Sequence, residues 1–348
     1  MRKKSAYAVA GVNIDAGEEF VQLIRQRIKK AWPGADKQIG GFAGGFELRH
    51  GRNTGMACTD GSGTVAILCA LTERFDVIGQ NAAAMSLVDA YVAGSVPVAL
   101  LDVLDVAKLD PERHIGVIDG LIAGCKMAGQ QCRLIGGETA ELPDMFKSNW
   151  MVNVNTTAIG DPSSALITKD VRAGQLVLGW PSNGFGSNGF SLLRKIFQLK
   201  GSPSATLRRL NRVWSELREP LVDALLQPAP IWIGKAEEYR REGARFAAHA
   251  HITGGGLVDN IPRILPSKLK VVINRADIRR PPIFALTQRL GNVSEQEMNR
   301  VLNQGIMMVS VLDTKGKQPS DELAPIVGTV EKRTGNEPQV ELVGTFHQ

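Results

Sequence analysis

Ionisable side chains stand next to glycines in three separate stretches of the sequence, which suits the binding of phosphate groups and a cation. The stretches are TDGSGTV at 59–65, IGGETAE at 135–141 and HITGGG at 251–256. Glycine lets the backbone approach a ligand closely and turn its N–H groups toward an anion. Because Mg²⁺ typically takes one or two carboxylates plus phosphate oxygens, Asp60 and Glu138 could hold a nucleotide's metal ion if the fold brings them together.

These side chains also have structural interpretations. Asp60 could begin a turn through its side chain, and Asp89, in a predicted helix, could face solvent. His249 and His251 alternate along a predicted strand and share one face, where they could bind metal, transfer a proton or simply be hydrogen-bonded within the strand. None of the three stretches has the GxxxxGK[ST] or GxGxxG spacing of the common phosphate loops. The chain has no GxSxG and no HExxH motif, so hydrolase chemistry of those two kinds is not indicated.

Length and composition indicate a two-domain cytoplasmic protein. The chain has 348 residues, of which 43% are hydrophobic, and it has no apolar run near the roughly 20 residues of a membrane helix. The N-terminus lacks the apolar segment of a secretory signal, and the four cysteines form no CxxC pair, which is typical of reduced thiols in a cytoplasm. The net charge of +6 favours anionic ligands but predicts no nucleic-acid partner. The basic stretch 207–218 fits a packed amphipathic helix with a solvated side.

Predicted strands and helices alternate in both halves, so the fold class is α/β (α+β), with two domains and mixed sheets. The predicted strands cover 98–105, 132–145 (running into a glycine turn), 151–160, 175–180 and 244–257. The predicted helices include 15–31, 81–92 and 190–200. The polar, turn-rich segment 160–170 predicts a domain boundary, which gives an N-terminal domain of residues 1–165 and a C-terminal domain of residues 166–348.

Six motifs occur in an order that resembles one enzyme family. They are AYAVAGVNIDAG, TDGSGT, LIGGETAELPDMF, GSNGFSLLRK, HITGGGLVDNIPRILP and EMNRVLNQG. From about Tyr7 to Met308 the chain resembles phosphoribosylformylglycinamidine cyclo-ligase, the aminoimidazole ribonucleotide synthetase of purine biosynthesis. That family belongs to an ATP-binding superfamily that also includes selenophosphate synthetase and thiamine-phosphate kinase.

The resemblance implies a fold, a reaction and partners. The N-terminal domain would join its strands to those of a second subunit in a barrel, giving a homodimer with no nucleic-acid or membrane partner. With Mg²⁺, ATP would phosphorylate the formyl amide oxygen of a small-molecule nucleotide substrate, formylglycinamidine ribonucleotide. An amine nitrogen would then attack the activated carbon, and phosphate would leave as the imidazole ring closes.

The resemblance also carries roles onto single residues. It implies catalytic roles for Asp60, Ser187, Asn188 and His251, and metal binding by Asp60 and Glu138. The nucleotide-binding positions that it implies are Gly61, Gly63, Thr64, Asp89, Gly136, Gly137, Thr139, Thr253, Gly254, Gly255 and Gly256.

Several polar positions depart from the family pattern. Where the family usually has lysine, aspartate, asparagine and histidine, this chain has Val65, Asn81, Val88 and Gly186 respectively. Met307 replaces a glycine, and Ala8, Val9 and Asn13 replace charged residues. Loss of one preorganised group commonly lowers a rate ~100- to 1000-fold.

Three interpretations follow from these departures. The first is an active cyclo-ligase with relocated charges, for which Arg49, Arg52 and Arg74 are nearby cations in the sequence. The second is a catalytically degenerate member that acts as a binding or regulatory protein. The third is an ATP-dependent enzyme of the same superfamily with another substrate.

Overall fold

A computed structural model describes residues 14–34, 37, 41–47, 54–162, 167, 169–319 and 323–346. These residues form two larger sheets, one small hairpin and many helices, which confirms the predicted mixed α/β class. The departures at Ala8, Val9 and Asn13, together with Arg49 and Arg52, lie outside the described residues. In the described part of the chain, no helix is both long and apolar enough to cross a membrane.

The first half folds into a five-stranded sheet in the order β1-β2-β5-β3-β4. The strands are β1 (Gly44–Glu47), β2 (Thr54–Gly61), β3 (Ser95–Val106), β4 (Arg133–Glu141) and β5 (Val152–Pro162). The helices are α1 (Ile14–Ala31), α2 (Val65–Leu71), α3 (Phe75–Val92) and α4 (Pro111–Ala128). β4 runs parallel to β3 while the other neighbours are antiparallel, so β3, α4 and β4 form a βαβ unit.

The two faces of this sheet differ in burial because α3 packs on only one of them. Buried and half-buried residues alternate along β5. On the buried side, the Thr156 hydroxyl lies 2.6 Å from the hydroxyl of Ser86 in α3. We call this side the covered face and the opposite side the open face. α3 itself is buried on nearly all sides, as expected of a helix that is apolar all round.

The second half forms a six-stranded sheet in the order β13-β10-β12-β6-β11-β9, and a separate β7-β8 hairpin. The strands are β6 (Leu176–Pro181), β7 (Val213–Trp214), β8 (Glu219–Pro220), β9 (Phe246–His251), β10 (Leu269–Asn274), β11 (Ile306–Leu312), β12 (Ile326–Lys332) and β13 (Val340–Val343). The helices are α5 (Phe190–Ile196), α6 (Pro203–Leu210), α7 (Leu221–Leu225), α8 (Ile233–Arg241), α9 (Gly256–Asn260), α10 (Pro282–Gly291) and α11 (Glu295–Val301). β9 and β11 are buried along their whole length, which places the histidines of β9 inside the protein.

α3 also connects the two halves through buried hydrogen bonds. The Asn81 side chain donates to the carbonyl oxygen of Gly186 at 3.3 Å and accepts from the backbone N–H of Ala229 at 2.8 Å. The Tyr91 hydroxyl donates to Glu237 at 3.0 Å. One cluster of buried apolar side chains includes residues from both halves, so the halves share a hydrophobic core.

Two predictions of local structure were wrong. The stretch 136–141 is not a loop after a strand but part of β4, with its glycines inside the strand. Residues 207–218 are not one helix, because α6 ends at Leu210 and the following residues form β7 and β8. Arg218 has a φ of 59°, which a right-handed helix cannot accommodate.

Candidate functional site

The loop after β2 packs against the loop before α5. A Cβ atom added at Gly63 would lie 3.4 Å from the carbonyl oxygen of Ser187. The Thr64 and Ser191 hydroxyl oxygens are 3.3 Å apart. The helices α2 and α5, distant in sequence, therefore begin side by side, with the predicted nucleotide loop against the predicted substrate loop.

The glycine turn after β9 reaches the same place. A Cβ atom added at Gly254 would lie 3.7 Å from the side-chain oxygen of Asn188. The turn is closed by a hydrogen bond from the Gly256 N–H to the Thr253 carbonyl oxygen at 3.0 Å. Gly255 and Gly256 have φ values of 102° and 59°, which strongly favour glycine. The stretches 60–64, 187–191 and 251–256 are thus brought together.

A histidine–aspartate pair bridges the two halves at this junction. His251 Nδ1 lies 2.8 Å from Asp89 Oδ1. The His251 side chain is 0% exposed, whereas the Asp89 side chain is 18% exposed. His251 Nε2 has no hydrogen-bond partner among the described residues. An ionised carboxylate only accepts hydrogen bonds, so the hydrogen of this pair lies on Nδ1, and in the neutral ring the Nε2 lone pair is then left for another group.

Asp60 lies near this pair at the end of β2. Its Oδ1 accepts the Gly61 N–H at 2.7 Å. Burial raises the pKa of Asp60, the Gly61 hydrogen bond opposes the rise, and the neighbouring Asp89 charge adds to it. The same two carboxylates add to the effect of burial on Cys58, whose pKa rises to about 12. Two acidic groups within electrostatic reach of each other create a place where a cation is favourable.

Two buried hydroxyls at the junction, Ser62 Oγ and Ser187 Oγ, have no hydrogen-bond partner within the described part of the chain. A buried polar group without a partner costs about 1–3 kcal/mol. These hydroxyls, on the two facing loops, are therefore suited to donating hydrogen bonds to the oxygens of an anionic ligand.

The structure does not bring Glu138 to Asp60 within one chain. Asp60 pairs with Thr156, Thr156 with Asp102, and Asp102 with Gly137 across the sheet. Directly paired residues share a face, so Glu138, the next residue of β4, lies on the open face. β2 and β4 are three strand spacings apart in the sheet order, which is about 14 Å.

The other predicted site residues of β4 are likewise separated from Asp60 by three strand spacings. Gly136 lies on the open face and Thr139, paired with Leu104, on the covered face. A Cβ atom added at Gly137 would collide with the Asp102 carboxylate, while one at Gly136 would meet no atom of the described residues within 4 Å. Over the ranges that the structure describes, no group of at least three His, Cys, Asp or Glu side chains is arranged to hold a metal ion.

Three of the departures from the family pattern are parts of the packed core. Val65 is 0% exposed and Val88 is 1% exposed. Asn81 is fully buried, and both its amide nitrogen and its oxygen are hydrogen-bonded. These side chains therefore stabilise the fold and present no charge to the junction.

The other two departures contact each other. Gly186 has a φ of 62°, and a Cβ atom added there would lie 3.1 Å from Met307 Cε. Met307 is buried. Met307 thus occupies space into which a larger side chain at position 186 would extend, so the two changes fit together.

A cation at the junction was missed by the sequence reasoning. Arg263 lies in the short 3₁₀ segment after α9, its guanidinium carbon 3.6 Å from the centroid of the Phe42 ring. Burial lowers the pKa of Arg263, and the Asp89 charge opposes this effect. The candidate cation Arg74, in contrast, forms an ion pair with Asp223. An available signal was the basic residue 12 positions after His251 in HITGGGLVDNIPRILP.

A second missed signal is the spacing GxGxxG in GFGSNG at 184–189, between β6 and α5. β6 pairs only antiparallel with its neighbours β11 and β12, so this is not a dinucleotide-binding βαβ unit. Asp102 was also missed, because it stands in the apolar run VALLDVLD. It is 7% exposed, and burial raises its pKa.

His249 belongs to a buried hydrogen-bond network within the second sheet. Its Nδ1 lies 2.6 Å from the Ser310 hydroxyl, which also accepts the Trp180 indole N–H at 2.7 Å. Burial lowers the pKa of His249 to about 3. The hydrogen-bonded strand histidine is therefore the interpretation that fits His249, while His251 faces the junction.

Comparison with known proteins identifies relatives along nearly the whole chain. The family models described as AIR synthase related protein match residues 47–161 (N-terminal domain) and 172–341 (C-terminal domain). A phosphoribosylformylglycinamidine cyclo-ligase of a Thermoanaerobacter species is 38% identical over 318 residues, 90% of each chain. The protein of that name from Syntrophotalea carbinolica is 36% identical over 356 residues, 98% of this chain and 99% of its own.

Solved structures share the fold at low sequence identity. Thiamine monophosphate kinase from Aquifex aeolicus superimposes with a TM-score of 0.60 at 14% identity, covering 94% of this chain and 97% of its own. The structure titled HypE-HypF complex gives a TM-score of 0.56 at 18% identity, covering 92% and 95%. These likenesses concern the fold alone.

Proposed function

The chain belongs to the AIR synthase related protein family, and on that premise we propose that it catalyses ATP-dependent ring closure of formylglycinamidine ribonucleotide to aminoimidazole ribonucleotide. The relatives that support this proposal are named cyclo-ligases, and the similarity to them extends over nearly their full length. The observation that carries the proposal is the meeting of three distant stretches, 60–64, 187–191 and 251–256, around the Asp89–His251 pair.

The proposed chemistry requires orientation and charge more than a new nucleophile. Phosphorylation turns the amide oxygen into a good leaving group, and the attacking amine belongs to the same substrate. The protein must hold the triphosphate, align the amine and accept its proton. We assign phosphate contacts to Ser62, Ser187 and the backbone of 61–64, and proton acceptance to His251 Nε2, which Asp89 orients.

ATP hydrolysis in this family implies Mg²⁺, and the junction suits it in part. Asp60 and Asp89 interact electrostatically, and one or two carboxylates with phosphate oxygens are a usual Mg²⁺ set. We propose that Asp60 holds the metal with Asp89 beside it, and that the ion neutralises phosphate charge. Arg263 supplies the positive charge that Val65 does not.

We propose that the protein acts as a homodimer whose N-terminal strands form a shared barrel. β4 is an edge of the first sheet, and most of its residues are exposed. An edge strand with unpaired backbone groups invites another strand. Ile135 within β4 is 60% exposed, and Val103 on the open face of β3 is 39% exposed. A role for Glu138 at the metal then requires the second copy, because its own Asp60 is about 14 Å away.

Mixing two variants tests this arrangement. If Glu138 serves the partner's site, Asp60→Asn and Glu138→Gln are each inactive, but re-paired mixtures regain roughly a quarter of wild-type activity, since heterodimers contain one intact site. No recovery, with re-pairing verified by co-purification of the untagged variant with an affinity-tagged one, excludes Glu138 from the partner's site.

The remaining assignments follow from the same proposal. We place the domain boundary at 165/166, between the last strand of the first sheet, ending at Pro162, and the first strand of the second, starting at Leu176. We also propose a cytoplasmic location, where ATP and purine precursors are found.

The direct test is ATP hydrolysis with formylglycinamidine ribonucleotide, together with detection of aminoimidazole ribonucleotide by mass spectrometry. The proposal expects hydrolysis that depends on this substrate, and growth of a purine-auxotrophic strain that lacks the enzyme. Hydrolysis that requires another acceptor would reassign the substrate within the superfamily.

A second candidate is a binding protein without turnover. The specific observation in its favour is that Val65, Val88 and the Gly186–Met307 contact turn polar family positions into packing. This candidate expects nucleotide binding by calorimetry but no product with any of the superfamily's substrates.

A further inference from the structure

A cavity of about 460 Å³ lies beside α2 and α5, away from the ends where the two helices begin. Its apolar walls include Leu71 at the end of α2, and Phe146 and Trp150 in the segment between β4 and β5. A volume of this order suits a small organic ligand. Flat rings stack well on aromatic side chains, so the walls favour a planar apolar group.

Among the described residues, the charged side chains of the cavity wall are all basic. Arg194, Lys147 and Lys200 line it, and no acidic residue of the described part of the chain does. Arg194 Nε is buried and has no hydrogen-bond partner among the described residues. No ion pair of Arg194 occurs within them either, in contrast to Arg74, which pairs with Asp223.

A buried guanidinium nitrogen without a hydrogen-bond partner is unfavourable unless a ligand satisfies it. Burial lowers the pKa of Arg194, which reflects the poor solvation of its charge. Guanidinium groups are suited to phosphate and carboxylate oxygens, which can accept two parallel hydrogen bonds. The wall therefore combines an anion-binding group with aromatic surface.

We propose that this cavity is a second ligand site, which binds a small molecule that joins a planar apolar ring to a phosphate or carboxylate group. Arg194 binds the anionic group, and Phe146 and Trp150 contact the ring. The site is separate from the junction, because Leu71 and Arg194 lie toward the C-terminal ends of α2 and α5, whereas Thr64 and Ser191 meet at the other ends.

The position of the cavity couples it to the junction. α2 begins directly after the loop that carries Ser62, and α5 directly after the loop that carries Ser187. A ligand between the far ends of these short helices bears on the alignment of both loops. Occupation of the cavity is thus expected to change nucleotide affinity at the junction.

The test uses 1-naphthyl phosphate, with 1-naphthol and inorganic phosphate as the ring-only and anion-only probes, in calorimetric titrations of the full chain. We expect the joined molecule to bind at one site per chain and more tightly than either part. Arg194→Met should weaken binding about 10- to 100-fold, because a charge-assisted hydrogen bond is lost. Lys195→Met is the matched control, since Lys195 is exposed on the same helix outside the cavity.

Two results separate this site from the junction and from a folding defect. Ser187→Ala, which removes a hydroxyl that we assign to phosphate at the junction, should leave the affinity for 1-naphthyl phosphate unchanged; an equal loss in that variant would place the probe at the junction and overturn the proposal. Arg194→Met should keep the wild-type circular dichroism spectrum. If it unfolds, Lys147→Met, which removes an exposed cation of the same wall, should weaken binding severalfold. Unchanged binding in a folded Arg194→Met, or in Lys147→Met when Arg194→Met unfolds, would also overturn it.

Discussion

The stretches 59–64 and 136–141 have similar compositions, since each combines glycines and threonine with one or two acidic residues, but they have different structural roles. The first leaves the sheet after Gly61 and turns toward the second half of the protein. The second continues within β4, where its backbone pairs with β3. The difference lies in what the backbone N–H groups bind, because a strand uses them for its neighbour and a turn leaves them for a ligand.

Glycine in the two stretches therefore has different causes. Gly63 has a φ of 66° and faces a carbonyl oxygen of the opposing loop. Gly137 is an ordinary strand residue whose missing side chain leaves room for the buried Asp102 carboxylate. Glycine content by itself does not distinguish a ligand loop from a close-packed strand.

The largest expected effect tests the first stretch. Asp60→Asn removes a preorganised negative charge from the proposed metal-binding site, so kcat for substrate-dependent ATP hydrolysis should fall ~100- to 1000-fold. Steady-state kinetics measure this, with thermal unfolding as the check that the fold is retained. A rate within threefold of wild type would remove Asp60 from the site.

The next effect tests the second stretch through stability. Gly137→Ala forces a methyl group against Asp102 and should lower the free energy of unfolding by about 1–3 kcal/mol. Gly136→Ala is the matched control, because no described residue lies within 4 Å of the new methyl, and its free energy of unfolding should stay within about 0.5 kcal/mol of wild type. Urea unfolding measures the free energy of unfolding of both variants. Equal values would mean that β4 can shift to accommodate either change.

A smaller effect concerns packing inside the junction loops. Gly186→His should be destabilising because its side chain meets Met307, and adding Met307→Gly should recover part of that loss. The double-mutant cycle is expected to give a coupling energy of about 1 kcal/mol or more. Additive effects in chemical unfolding would show that the two positions do not share space.

The smallest effect is a shift in pH dependence. The Asp89 charge helps to raise the pKa of Asp60, and activity that needs the Asp60 carboxylate falls as the pH drops through that pKa. Asp89→Asn should therefore move the acid limb of the kcat/KM profile to lower pH, whatever it does to the maximum. Movement of that limb to higher pH would contradict the assigned electrostatics.

Much of the fold could be predicted because burial leaves a periodic pattern. The strands near 98–105, 151–160 and 175–180 were found from short apolar runs; the structure lengthens the first at both ends and moves the bounds of the other two by one or two residues. The prediction of a single helix over 207–218 was wrong, because the same apolar spacing also fits a helix end followed by a hairpin. The pattern of a short segment does not encode where its partner strand lies.

The candidate site was predicted less completely, because it depends on strand register and on contacts between halves. Asp60, Asp89 and His251 could be named from their neighbours in sequence, but the pairing of His251 with Asp89 across 162 positions could not. Arg263 was overlooked for the same reason, and Glu138 was expected at Asp60 because no sequence pattern shows which face of a sheet a residue occupies.

Because α3 is buried on nearly all sides, the two halves of the protein are not expected to be stable as separate fragments. The helix packs on the first sheet and hydrogen-bonds to the second half through Asn81, Asp89 and Tyr91. A fragment that stops after β5 would keep the helix but uncover the apolar surface on which residues 176–312 rest. Expressed separately, such a fragment is expected to aggregate. The covalent connection between the two halves therefore helps to keep this apolar surface buried.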